Sequence, residues 1–181
     1  YMEQKSILKD SIWRVFEVFV DEPIKMHYIK EISRRINLAH TSVIKHLEKL
    51  EKENLIKKEK GERFFGFKAN RDNENFLFYK KISNLTKIKE SGLLDFLINL
   101  IYPQTIILYG SYLRGEDIEK SDIDLFIMSK SRKTLEIEKF EKILNRKIHI
   151  IIDKNLKNFS KELKLEIING LVLYGYLNIY D

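Results

Sequence analysis

The run Thr105-Ile106-Ile107-Leu108-Tyr109 is apolar and β-branched, and it stops at Gly110-Ser111, with Arg114-Gly115 close behind. Ten residues, Tyr112 to Ser121, then lead to Asp122-Ile123-Asp124-Leu125-Phe126-Ile127-Met128. The first run predicts a strand entering a turn, and the second predicts another strand. Asp122 and Asp124 are two positions apart on it, which puts both carboxylates on one face. Asp124 interrupts an otherwise apolar strand, and charge there is costly unless it is paired or metal-bound. A glycine allows close backbone approach to a polyphosphate, and N–H groups at a following helix start attract its charge. Two carboxylates supply the hard oxygen ligands that Mg²⁺ prefers. The pattern points to phosphate and metal chemistry.

Gly-Ser, ten residues and Asp-x-Asp together resemble the signature of the DNA-polymerase-β-like nucleotidyltransferase superfamily. The wider string Leu108-Tyr109-Gly110-Ser111-Tyr112-Leu113-Arg114-Gly115, with Ser121-Asp122-Ile123-Asp124-Leu125, is similar to its minimal nucleotidyltransferase branch. The resemblance covers roughly residues 91–175. It implies a small mixed-sheet domain that takes a nucleoside triphosphate. Gly110, Ser111 and Arg114 would contact the nucleotide, while Asp122 and Asp124 would be the catalytic carboxylates and hold Mg²⁺, with Mn²⁺ as the alternative ion.

The family would also carry a third carboxylate on a later strand. That strand is Lys147-Ile148-His149-Ile150-Ile151-Ile152, and the expected position holds His149. Asp153 shares its face but lies four residues on, about 13 Å further along. With two of three acids, His149 is either a general base toward an acceptor hydroxyl or a filler beside two carboxylates. Three readings follow from the resemblance. The domain transfers a nucleotidyl group; or it is an inactive sensor or dimerisation module of a regulator; or it is an antitoxin that adenylates a helical toxin protein.

The other half reads differently. Leu8, Ile12, Val15, Phe16 and Phe19 recur at helical spacing up to Asp21-Glu22-Pro23, and Ile29, Ile32 and Ile36 mark a shorter helix. Asn37-Leu38-Ala39 predicts a turn, after which Thr41 or Ser42 can cap a third helix with Val43, Ile44, Leu47 and Leu50 inward. Residues 55–60 and 63–68 predict two strands around Gly61-Glu62. The stretch Ala39-His40-Thr41-Ser42-Val43-Ile44-Lys45-His46-Leu47-Glu48-Lys49-Leu50, with Glu53-Asn54-Leu55-Ile56, resembles the recognition helix and first wing strand of archaeal winged-helix regulators. That resemblance implies double-stranded DNA as a partner. His40, Thr41, Ser42, Lys45 and Lys49 would face the groove, and Lys57, Lys58, Lys60 and Arg63 on the wing would meet phosphates. Such modules also dock proteins, and Lys-rich hairpins also serve as solvated edges.

The fold class expected is α+β in two domains: a winged helix-turn-helix over 1–70, a connecting helix over 71–90, and a minimal nucleotidyltransferase-like domain over 91–181. Residues 1–70 hold 15 basic against 11 acidic side chains, an excess of +4 within a net charge of +6. Hydrophobic residues at 44% and charged residues at 33% fit a globular chain, not a disordered one. The lack of cysteine excludes disulfides, thiolate zinc sites and a cysteine nucleophile. No apolar run approaches the ~20 residues of a spanning helix. Lys5, Lys9 and Asp10 break up any leader-like start, so a cytoplasmic protein without a membrane partner is expected. A homodimer is left open.

Overall fold

The computed structural model describes residues 10–61 and 64–177. The chain divides into two compact units, Tyr1–Lys80 and Lys81–Asp181.

The first unit opens with α1 (Ser11–Asp21), capped by the Asp10 carboxylate, which accepts from Ser11 N at 2.6 Å. Val15, Phe16, Val18, Phe19 and Val20 are its buried face. After Pro23 the chain turns into α2 (Ile29–Ile36), which ends where Asn37 takes a left-handed conformation at φ 49°. That residue lets Leu38 N donate back to Ser33 O at 3.1 Å, a helix end favoured by Asn or Gly. Then α3 (His40–Lys52) lays Val43, Leu47 and Leu50 against the other two helices. Two details differ from the sequence reading. Ile44 is 40% exposed, because positions 43, 47 and 50 fill the stripe and position 44 lies about 100° round from 43. Thr41 and Ser42 do not cap α3; it begins at His40 behind Ala39, and both hydroxyl residues lie in its first turn.

The hairpin follows as β1 (Ile56–Lys60) and β2 (Phe65–Ala69), antiparallel, with Ile56 opposite Ala69 and Lys60 opposite Phe65. The second strand is described from Phe65, and Gly61 N donates to Phe64 O at 2.9 Å. Arg63 lies outside the described residues. Trp13 packs on Phe16, ring centroids 5.4 Å apart, and Phe16 meets Phe76 edge-on at 5.5 Å. Phe76 is in α4 (Glu74–Glu90), which carries the chain into the second unit. The Asn73 side chain caps α4 by accepting from Phe76 N at 3.1 Å.

The second unit contains α5 (Leu93–Ile101), β3 (Thr105–Tyr109), α6 (Gly110–Arg114), β4 (Ile123–Met128), α7 (Glu138–Leu144), β5 (Ile148–Asp153), α8 (Lys161–Ile168) and β6 (Leu171–Gly175). Its four-stranded sheet has the order β5-β4-β3-β6; β4 and β5 are parallel and the other pairs antiparallel. Strand alternation separates two faces. Ile106, Leu108, Ile123, Leu125, Ile127 and Ile148 pack with α5, Tyr112 and Leu113 of α6, and Phe140 and Leu144 of α7. Ile107, Tyr109, Phe126 and Met128 pack on the opposite side with Ile167 of α8. Ser160 caps α8 by accepting from Leu163 N at 3.2 Å. Among the described residues the chain is α+β with eight helices and a mixed sheet, and no helix is long and apolar enough to cross a membrane.

Candidate functional site

Strand register assembles the site. β3 pairs with β4 so that Tyr109 is opposite Asp124, and β4 pairs with β5 so that Asp124 is opposite His149. Paired residues share a sheet face, so Tyr109, Asp124 and His149 form one row across three strands. His149 Nδ1 lies 3.2 Å from Asp124 Oδ1. The same register puts Asp153 opposite Met128, at the far end of β4, where its carboxylate accepts from Asn155 N at 3.2 Å. Asp153 is on the right face at the wrong end.

Gly110 follows Tyr109 and opens α6 with φ at +78°, a left-handed conformation that side chains resist. A Cβ there would lie 2.6 Å from Asp124 Oδ2. The glycine therefore lets the β3–α6 turn lie directly on the Asp124 carboxylate, whose two oxygens face Gly110 on one side and His149 on the other. Ser111 is the second residue of α6, and the N–H groups of a first helical turn have no acceptor within their helix. Asp122 is exposed and falls one residue before β4 begins, not on the strand as its spacing predicted. The chain straightens only at Ile123, whose N–H donates to Lys147 O at 2.8 Å.

Arg114 closes α6 and holds two acids, Glu116 at 2.7 Å and Glu166 of α8 at 2.9 Å. The hydrogen bonds it donates to these carboxylates, Glu116 first and then Glu166, raise its already high pKa. Burial, aided by the negative charges of Asp124 and Glu166, pushes the Tyr109 phenol up to about 12. It remains protonated at neutral pH, a neutral neighbour for Asp124.

Sequence reading missed what shapes the ten-residue loop. Asp117 is 1% exposed and accepts from Asn84 Nδ2 at 2.8 Å, and the same Asn84 group donates to Tyr112 O at 2.9 Å. Arg146, whose side chain is 7% exposed, lies 3.7 Å from Asp117. A buried aspartate with a cation and an amide is a positioning network that pattern alone does not reveal. Tyr109 and Glu166 were likewise passed over, the first as an apolar strand residue and the second as helix surface.

The residues expected to meet DNA all belong to the first unit. His40, Thr41, Lys45 and Lys49 are exposed on α3 and Ser42 is half-buried; Thr41, Lys45 and Lys49 repeat every four residues along one face. Lys58 and Lys60 are exposed on β1, Lys58 with its ammonium 5.4 Å from the Phe65 ring centre. Lys57 pairs with Asp72 at 3.1 Å.

Residues 90–174 match the model of the nucleotidyltransferase domain family. Three proteins of Methanocaldococcus jannaschii, provisionally named protein adenylyltransferases, are similar to this chain. MJ1305 is 36% identical over 86 residues, 42% of this chain and 58% of its own length. MJ1379 is 40% identical over 62 residues, 30% of this chain and 62% of its own length. MJ0141 is 38% identical over 74 residues, 39% of this chain and 73% of its own length. The chain thus spans under two thirds of the first two relatives and nearly three quarters of the third. The turn at Gly110, the register that pairs Asp124 with Tyr109, and these likenesses agree, and the chain belongs to the nucleotidyltransferase domain family.

Proposed function

We propose that the second unit binds a nucleoside triphosphate with Mg²⁺ and transfers its nucleotidyl group to a hydroxyl on a protein, in the manner the relatives' names describe. The observation that supports this reading is the close approach of the Gly110 backbone to Asp124, a glycine turn suited to phosphate beside a carboxylate suited to a metal ion. Gly110 and Ser111 would meet the polyphosphate through backbone N–H groups and the Ser111 hydroxyl. Arg114 would add charge if a phosphate displaced Glu116 or Glu166. Asp124 and Asp122 offer hard oxygen donors that fit Mg²⁺, whereas the imidazole beside Asp124 suits Mn²⁺ better. When bound, the ion neutralises charge on the triphosphate. In transfer, the acceptor oxygen bonds to the α-phosphorus, the bond to the bridging oxygen breaks, pyrophosphate leaves, and the hydroxyl proton passes to His149 or to water.

A second reading is favoured by one observation, the His149–Asp124 hydrogen bond, which sets an imidazole where the family pattern has an acid. In that reading the unit binds nucleotide as a sensor without turning it over. The first unit, three helices and a hairpin with exposed basic residues on α3 and β1, is proposed to be a winged helix that binds double-stranded DNA. A toxin protein is one acceptor consistent with protein adenylation.

Calorimetry with ATP, with and without Mg²⁺, tests the nucleotide site, because two carboxylates repel a polyphosphate unless an ion intervenes. Asp124→Asn should weaken Mg²⁺-dependent binding. Equal affinity in both proteins would refute the metal role of Asp124. Labelled ATP, CTP, GTP and UTP then separate transfer from sensing, with self-modification included among the products.

A further inference from the structure

We propose that Glu22, His27 and Glu31, in the first unit, form a binding site for one divalent transition-metal ion, Zn²⁺ by the chemistry of their donors. One ligand atom from each lies within 4.8 Å of the others. Glu22 follows α1, Glu31 is in the first turn of α2, and His27 lies between them. The His27 backbone is pinned to β2 by a reciprocal pair, His27 N to Phe67 O at 2.8 Å and Phe67 N to His27 O at 2.9 Å. The ring packs edge-on to Phe19 at 5.2 Å.

The histidine carries the argument. Its side chain is 0% exposed, and Nε2 lies 3.0 Å from the carbonyl oxygen of Glu22. A carbonyl only accepts, so this contact puts a proton on Nε2, and in the neutral ring the lone pair is then on Nδ1. Nδ1 is buried without a hydrogen-bond partner, 3.7 Å from Glu31 Oε1. Leaving such an acceptor unmet is unfavourable, and a lone pair facing a carboxylate oxygen adds repulsion. A cation between Nδ1 and Oε1 removes both penalties. Ligating histidines commonly hold their other N–H on a backbone carbonyl, which is the arrangement here. Two donors on a tetrahedral Zn²⁺, each at about 2.0–2.2 Å, lie about 3.4 Å apart. The 3.7 Å separation needs only a small adjustment.

Lys25 shows that this place already attracts a cation. Its ammonium is 2.8 Å from Glu31 Oε1 and 3.2 Å from Glu22 Oε1. It satisfies both acids but leaves Nδ1 unmet, and its side chain is 46% exposed, free to swing into water. Arg35 bonds the other oxygen of Glu22 and would hold that carboxylate from outside the coordination sphere. One imidazole and two carboxylates, with a fourth position for water, match a three-ligand Zn²⁺ site. Mg²⁺ would gain little from the nitrogen. The ion exchanges for the Lys25 ammonium and ties the end of α1 to the start of α2.

The test uses the full chain carrying Asp124→Asn, so that the carboxylate in the other unit does not contribute, stripped with a chelator before titration. Calorimetry with Zn²⁺, and visible absorption with Co²⁺, should show one ion per chain and a raised melting temperature. Glu31→Gln should weaken binding at least about tenfold, with its fold checked by circular dichroism. Lys25→Met should tighten binding, an effect opposite in sign to that of simple loss of an ion pair. No binding at ~100 µM Zn²⁺ would overturn the site. So would equal affinity in Glu31→Gln, and unchanged affinity in Lys25→Met would overturn the exchange.

Discussion

A side-chain carbon on Gly110 would lie 2.6 Å from the Oδ2 oxygen of Asp124, so the two residues can be neighbours only because the first is glycine. Any replacement meets both that carboxylate and an unfavourable positive φ. Gly110→Ala should cost about 1–3 kcal/mol in a denaturant titration, and should reduce ATP binding more than Ser111→Ala does. If Ser111→Ala is the more damaging, the glycine is not what shapes the site.

The pairing of His149 with Asp124 predicts a metal preference. We expect weak or absent transfer with Mg²⁺, improved by Mn²⁺, because an imidazole favours the softer ion. His149→Asp should raise transfer with Mg²⁺ if the rest of the site is intact. Label incorporation with both metals and both proteins, at matched folding, measures this. Wild-type turnover above ~1 s⁻¹ with Mg²⁺, the low end of typical enzymes, would mean that a third acid is dispensable.

Exposed Lys58 and Lys60 on β1 should act on duplex DNA differently from residues of α3. Losing either lysine should weaken binding across sequences and flatten the salt slope by ~1 per lost phosphate contact. Changing Ser42 or Lys45 should alter sequence preference instead. Gel-shift titrations of the full chain at low salt measure both. No retardation of any duplex at micromolar protein would remove DNA from the account.

Acid should undo the ion pairs around Lys25. Burial opposes ionisation of Glu22 and Glu31, but hydrogen bonds and charge from Lys25, with Arg35 also on Glu22, prevail and hold both carboxyls below their usual 4.5. A carboxyl lowered by folding adds stability that is complete above 4.5 and lost as pH falls through the folded-state value. Lys25→Met should therefore be less stable than wild type at pH 7 in chelator, and the gap should shrink as pH falls below 4.5. A gap that stays constant with pH would assign the effect to packing of the lysine stem.

Much of this protein was legible before its coordinates. The apolar run to Tyr109 and the one through Asp124 were readable as β3 and β4, because short β-branched apolar runs bounded by turn residues suit strands buried on both faces. His149 was expected beside the two acids only through the family resemblance; the parallel register of β4 and β5 is what sets it opposite Asp124. Asp122 was misplaced because spacing cannot tell where a strand begins; a hydrogen bond from the neighbouring Ile123 to Lys147 decides it. Ile44 was misassigned because an isoleucine beside Val43 reads as core in sequence, whereas three-dimensional packing fills one stripe only. Asp117 and His27 were invisible for a related reason. Their significance lies in burial, which a polar residue in a loop does not advertise.

Trp13 gives the molecule an optical asymmetry. It is the chain's one tryptophan, and its ring packs tilted against Phe16 in the first unit while the second unit has none. Tryptophan emission therefore reports on the packing of α1 alone. Its wavelength and quenching can follow that unit through titrations with metal or DNA, without a label and without interference from nucleotide-dependent changes in the emission of residues around Asp124.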